Sequence, residues 1–323
     1  GMGCAGIGNL YRSVSNAEAC ETVEAALAHG IGFFDTAPYY GFGLAEQRLG
    51  KLLATSDDGR RAMISTKVGR VLHPCAEPGE RHGFVDAAPF KPRFDYSRDG
   101  VLRSFESSLS RLRRSRVELL LAHDLGEVTH GAEHEPHLRN FLDQGYGAMR
   151  ELRDSGAVGA IGIGVNEIPI CLDLIARVEL DVILLAGRYT LLEQGALERL
   201  LPLCVERGIR VIIGGPFNSG ILAHADPGGC YNYAAAPAGI AGKARRIGAI
   251  CARHGVALPA AALAMPAAHP AVASIIPGLV GAAQVVSAMA NWGAEIPAAL
   301  WDELRGEGLI SAATPLPSHR RAA

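Results

Sequence analysis

The sequence predicts an α/β protein built as a single (β/α)8 TIM barrel with long loops on its C-terminal face, on three observations. Helical and extended patterns alternate along the whole chain. The extended runs are mostly continuous in apolar residues, as parallel strands buried on both faces must be. No linker-like stretch interrupts the 323 residues, which places one domain over 1–323. A doubly wound open sheet is the competing architecture, but no GxGxxG opens a helix after a strand.

Taken in order, strands are expected over 1–5, 32–35, 62–67, 117–123, 158–164, 182–185, 211–214 and 272–276. The first is expected to be truncated or weak, because the chain opens directly on Gly-Met-Gly-Cys. Ser15 and Glu18 make a capping box before the helical stripe Ala19, Val23, Ala26 and Leu27. Gly30 ends that helix and an extended run follows. The same junction recurs at Gly156 and Gly208, where a glycine able to turn left-handed stops each helix. Further stripes run through Val101, Leu102, Phe105, Leu109 and Leu112, and through Ile247, Ile250, Cys251 and His254. Two segments break the rhythm: 73–93 after the third strand, and 218–238, with Tyr231 and Tyr233, after the seventh. Loops of that length on a barrel's C-terminal face usually cover a ligand.

An apolar content of 49% with 20% charged residues supports a large core and argues against disorder. A net charge of −2 without blocks of like charge leaves no electrostatic footprint for nucleic acid or a membrane surface. No segment has the apolar length of a spanning helix, and no basic-then-apolar leader opens the chain. Seven dispersed cysteines with no CxxC or other metal spacing read as reduced thiols in a cytoplasmic protein without a metal site.

Reactive groups in a barrel belong at the C-terminal ends of strands. Those ends read Asp35, then Tyr40 just beyond in a Pro- and Gly-punctuated loop, then Lys67, then His123. A lone Lys after a strand is usually solvated and a lone His usually packs, but four such residues at successive strand ends suggest one chemistry. A phenol, with a free pKa of about 10, is a poor acid or base near neutrality. An adjacent ammonium lowers that pKa, a carboxylate holds the ammonium, and an imidazole can orient a substrate oxygen. Schiff-base chemistry on Lys67 is a rival, disfavoured because Asp35 would raise the amine's pKa. A redox-sensing subunit without turnover is another, disfavoured by the full set of four.

The run from Asp35 to Gly50, Asp-Thr-Ala-Pro-Tyr-Tyr-Gly-Phe-Gly-Leu-Ala-Glu-Gln-Arg-Leu-Gly, together with Lys67 and His123, resembles the tetrad of aldo-keto reductases. The resemblance covers essentially the whole chain. It implies hydride transfer between a nicotinamide and a carbonyl or alcohol carbon, with Tyr40 as general acid/base. Tyr40 is preferred to Tyr39 because the family's Tyr directly precedes the Gly. Phe94-Asp95-Tyr96-Ser97, Ile163-Gly164-Val165-Asn166-Glu167 and Phe217-Asn218-Ser219-Gly220-Ile221-Leu222 are similar to a bacterial subgroup of D-threo-aldose (L-fucose) and pyridoxal 4-dehydrogenases. That subgroup implies oxidation of a cyclic hemiacetal hydroxyl to a lactone, on an aldose like L-fucose or D-arabinose, or alternatively on pyridoxal. General aldehyde reduction is a further alternative.

Departures from the family lie around the nicotinamide. Asn166 stands for the usual Ser-Asn, Ala186 for a Gln, and Gly214 or Gly215 for a stacking aromatic, which Phe217 or Asn218 would have to replace. Ile276, Pro277, Gly278 and the residues to Gln284 occupy the family's phosphate-binding stretch, where a Gly-bearing turn enters a helix. From Pro277 to Trp292 there is no Lys or Arg. The expected cofactor is therefore NAD, with NADP as the alternative if Lys243, Arg245 or Arg246 reaches over. The expected partner is a small molecule, and the expected state a monomer or small homo-oligomer.

Overall fold

A computed structural model describes residues 1–76, 81–224 and 230–317. The strands are β1 Met2–Gly3, β2 Phe33–Asp35, β3 Met63–Val68, β4 Arg70–Pro74, β5 Phe90–Phe94, β6 Val117–His123, β7 Val158–Val165, β8 Val182–Ala186, β9 Arg210–Gly214, β10 Cys230–Tyr231, β11 Ala234–Ala235 and β12 Val272–Ile276. Eight of them form one sheet in the order β1-β2-β3-β6-β7-β8-β9-β12, the chain order of a parallel (β/α)8 barrel. All eight expected strands are present, and the first is only two residues long. By internal contacts the chain divides into two compact units, Gly1–Leu184 with Gly278–Val285, and Leu185–Pro277 with Val286–Ala323. Each is described by itself.

In the first unit the strand register sets the geometry of the rim. Asp35 on β2 pairs with Ser65 on β3, Lys67 on β3 pairs with Leu121 on β6, and His123 on β6 pairs with Gly164 on β7. Paired residues in a parallel sheet share a face, and so do residues two apart along a strand. Asp35, Lys67 and His123 therefore project from one face, each two residues further along than the last. That advance reflects the stagger a tilted sheet imposes. Gly3 also makes a parallel bridge to Gly278.

The helix Asn16–Ala28 starts on Ser15, whose hydroxyl accepts from the Glu18 N–H. Only half of the expected capping box forms. The Glu18 carboxylate turns outward to the Arg12 guanidinium, at 3.0 and 2.5 Å, because an ion pair outcompetes the bond back to Ser15. Gly30, Gly156 and Gly208 all have positive φ at the junctions the sequence marks. Glu46 and Gly50, within the long motif, have packing roles. Glu46 is fully buried between Arg111 (2.6 Å) and Thr66 (2.6 Å), and a Cβ on Gly50 would lie 2.5 Å from the backbone of Leu112.

The segment 73–93 is not a plain loop. Its ends belong to an antiparallel ribbon, β4 with β5. Its return limb is strapped to the N-terminal segment by Tyr11 N–H to Gly83 O and Val85 N–H to Asn9 O, and to the Tyr40 turn by Ala88 N–H to Gly41 O.

In the second unit β9 and β12 pair in parallel, and the small β10–β11 hairpin follows the Asn218 turn. Tyr231 bonds Glu193, Arg188 donates to Asn232 and Tyr233 N–H donates to Ser219, tying that hairpin down. The stretch 218–238 is thus partly structured, and its positions 225–229 lie outside the described residues. All seven cysteines are free, four of them buried. Among the described residues no single helix is long and apolar enough to cross a membrane.

Candidate active site

Lys67 is 1% exposed, and its ammonium is surrounded by acceptors. Nζ lies 2.8 and 2.7 Å from the two Asp35 carboxylate oxygens, 2.8 Å from Thr36 O and 3.2 Å from Tyr40 Oη. The register explains the contact, since a long side chain two residues past Ser65 folds back over Asp35. Gly164 leaves the room it needs: a Cβ there would lie 3.2 Å from Lys67 Cε. Burial pushes the Asp35 carboxyl above its ordinary range, and the Lys67 charge opposes that push.

Tyr40 reaches the site through an unusual turn. Gly41 has φ +63 and Phe42 φ +54, both left-handed. A Cβ on Gly41 would sit 2.3 Å from Gly8 O, and one on Gly8 would sit 2.9 Å from Tyr40 O. Two glycine backbones in contact thus set the height of the phenol. Tyr39, its neighbour, turns toward Arg70, whose guanidinium lies 3.8 Å from the Tyr39 ring centroid.

His123 is 7% exposed, and its ring stands edge-on to Tyr40 at 6.0 Å between centroids. Its carbonyl accepts the Tyr96 hydroxyl at 2.6 Å, and that ring packs on Gly69, where a Cβ would lie 2.2 Å away. Burial, followed by the nearby Arg70 and Lys67 charges, holds the imidazole far below its usual range. His123 is therefore neutral. The structure brings Asp35, Tyr40, Lys67 and His123 together within one unit.

Two residues that sequence reasoning missed also belong to this cluster. Arg70 is 8% exposed and donates to Asp124 at 2.5 Å. Asp124 Oδ2 in turn lies 3.4 Å from His123 Nε2. Their adjacency to Lys67 and His123 in the chain was a usable signal, but an Arg three residues after a strand-end Lys has no periodic pattern to mark it.

The residues expected to hold a dinucleotide divide between the units. In the first, Asn166 follows β7 directly, and the turn Gly278 to Gly281 enters the helix Ala282–Trp292. Gly278 is exposed, with open space where a Cβ would point. Gln284 accepts from Val280 N–H at 3.0 Å, and Gly281 N–H donates to Thr22 at 2.7 Å. In the second, Gly214 ends β9 and its carbonyl accepts from Gly187 N–H. Phe217 is half-buried. Asn218 is buried with φ +46, and its amide bonds Thr190 (2.5 Å) and Gly187 O (3.1 Å). Ile276 and Pro277 are buried at the end of β12. Of the cations that could reach over, Lys243 donates to Leu192 O and Arg246 pairs with Glu307 at 2.8 Å.

Comparison with known proteins adds a family and close relatives. The model of the aldo/keto reductase family matches residues 1–305. Pyridoxal 4-dehydrogenase of Microbacterium luteolum is 43% identical, with 96% of this chain and 94% of the relative covered. D-threo-aldose 1-dehydrogenase of a Pseudomonas species is 37% identical, again with 96% and 94% covered. Among solved structures, the glycerol dehydrogenase of Gluconobacter oxydans superposes with a TM-score of 0.72 at 20% identity, over 100% of this chain and 94% of that one. An aldo-keto reductase of Bacillus halodurans in its holo form gives 0.70 at 22%, over 99% and 94%. At those identities the two structures speak for the fold alone.

Proposed function

The chain belongs to the aldo/keto reductase family of oxidoreductases, and from that premise we propose that it oxidises the hydroxyl of a cyclic hemiacetal to a lactone with Tyr40 as the base. The observation that carries this reading is the Lys67 ammonium, fixed by both Asp35 oxygens and 3.2 Å from Tyr40 Oη. A bound nicotinamide supplies the hydride acceptor. Tyr40 takes the proton from the substrate hydroxyl, and Lys67 stabilises the phenolate that this requires. Asp35 holds Lys67 in place and compensates its charge in a site almost without solvent. His123, uncharged, hydrogen-bonds the substrate oxygen and orients its carbon.

Both relatives' names fit this step, since pyridoxal and an aldose each present a cyclic hemiacetal. An L-fucose- or D-arabinose-like aldose is the first reading of the sequence. Two observations favour pyridoxal. The pyridoxal dehydrogenase is the more similar of the two relatives, at 43% against 37%. Half-buried Tyr39 and Tyr40, with Phe84 and exposed His82 beside Tyr39, set planar rings next to the phenol. A panel of pyridoxal, L-fucose, D-arabinose and L-galactose, followed by NADH absorbance and by mass of the lactone, tests the reading. No lactone from any of them would overturn it.

The cofactor proposed is NAD. The open space at Gly278 and the turn into the helix Ala282–Trp292 suit a phosphate, with Asn166 and Gln284 as further contacts of the first unit. Candidates in the second are Gly214, Phe217, Asn218, Ile276 and Pro277. A 2′-phosphate needs a cation, and Gln284 offers none. Losing such a charge-assisted contact costs about 1.5–3 kcal/mol, roughly ten- to a hundredfold in affinity. Wild type is expected to prefer NAD in kcat/KM, and Gln284→Arg to narrow the gap. A tenfold preference of wild type for NADP would contradict this.

A further inference from the structure

The Asp124 carboxylate sits beside the one group of the site that must stay uncharged. Its Oδ2 is 3.4 Å from His123 Nε2, close enough to form an ion pair with an imidazolium. The same oxygen is 2.5 Å from Arg70 Nη2. Arg70 is itself locked by stacking, its guanidinium 3.8 Å from the Tyr39 ring and 4.7 Å from the Phe94 ring. Asp124 is held in a left-handed conformation, φ +51, with its N–H on Gly164 O at 2.9 Å. A carboxylate kept in a costly backbone state beside a buried histidine, and capped by a buried arginine, is an arrangement packing alone does not require.

We propose that Arg70 is a positioning residue that occupies the Asp124 carboxylate and so keeps His123 an uncharged imidazole. The charged and titratable groups facing His123 are Lys67 from β3, Arg70 from β4, Asp124 next in the chain, and the Tyr39 and Tyr40 phenols from the turn after β2. Asp124 is the anion beside His123 and pairs with Arg70 at 2.5 Å, while Asp35 pairs with Lys67 at 2.7 Å. With Arg70 in place each carboxylate already has its cation, Asp35 on Lys67 and Asp124 on Arg70, so none is left to hold an imidazolium. Without it, Asp124 becomes the partner of an imidazolium, and an opposite charge at this range raises a histidine's pKa.

This inference rests on the assignment of His123 to the substrate oxygen, and its test separates the two. Histidine-labelled protein is titrated by NMR, with His123→Asn identifying the His123 signal, and kcat/KM is followed against pH in parallel. Wild-type His123 should titrate well below the ordinary histidine range. In Arg70→Met its midpoint should rise by at least about one pH unit, and the acid limb of the kcat/KM profile should move upward by the same amount. Arg70→Gln, which keeps the shape without the charge, should behave alike and serves if the Met variant does not fold. In Arg70→Met with Asp124→Asn the shift should vanish. An unmoved His123 in the single variants, or an equal shift in the double variant, overturns the proposal. Undiminished kcat in His123→Asn would instead overturn the role given to His123, while the NMR titration still decides that of Arg70.

Discussion

Four acceptor atoms surround the Lys67 ammonium, which carries three protons, so its hydrogen bond to Tyr40 is shared with Asp35 and Thr36. Tyr40→Phe leaves the ring and removes only the hydroxyl. Its kcat is expected to fall below a tenth of wild type while dinucleotide affinity, read by fluorescence quenching, is unchanged. Lys67→Met removes both the phenol's electrostatic support and the counter-charge of Asp35. Oxidation should slow and its pH optimum should move upward; an unchanged profile at reduced rate would confine Lys67 to holding ligand. Stability should fall too, by about 3–5 kcal/mol near neutrality. Buried Asp35 would then prefer its protonated form, which the unfolded chain gives up above the ordinary carboxyl pKa, so this deficit should grow with pH. Asp35, Lys67 and His123 were legible in the sequence because each stands at the end of an extended run, and Tyr40 because it lies in the long motif that starts at Asp35. Arg70 and Asp124 were not, because their meaning lies in a contact between β4 and the residue after β6.

Strand existence was equally legible, since buried parallel strands leave unbroken apolar runs that end on a charge. The ribbon β4–β5 was not. Its residues mix polar with apolar, with Arg70 buried, His73 half-buried and Lys91 and Arg93 exposed, and only pairing reveals them as strands. The same limit applied to Gly164, which reads as an ordinary strand glycine until Lys67 is seen lying against it. Gly164→Ala would place a methyl 3.2 Å from Lys67 Cε and tilt the ammonium away from Tyr40. A few tenths of an ångström must be given up there, and positioning errors on that scale matter to proton transfer. The expected result is a five- to twentyfold loss in kcat, as an order of magnitude, with a melting temperature near wild type. Wild-type kcat in that variant would mean that the lysine relaxes freely.

Across the molecule, five of the histidines share one sign. Burial pulls His82, His123, His137 and His269 below their ordinary range, and His130, wedged against His137 and Tyr96, down to about 4. Each binds a proton less readily in the fold than in the unfolded chain, so each destabilises the fold as pH drops below about 6.5. The melting temperature should therefore decline steadily from pH 7.5 toward pH 4.5, and His130→Gln should flatten the slope. A pH-independent melt over that range would contradict the assignment. The same scans test the proposal that residues 1–323 act as one domain, which requires a single cooperative transition.

The two-residue advance of Asp35, Lys67 and His123 along their strands makes the site a matter of parity. One residue gained or lost between Ile64 and Lys67 would turn the lysine to the opposite face of the sheet, and no repacking could return it. A gain or loss in a loop between strands changes nothing in that count. The constellation is thus spelled in three short words whose letters must stay even in number, while the spaces between the words are free to lengthen or shrink.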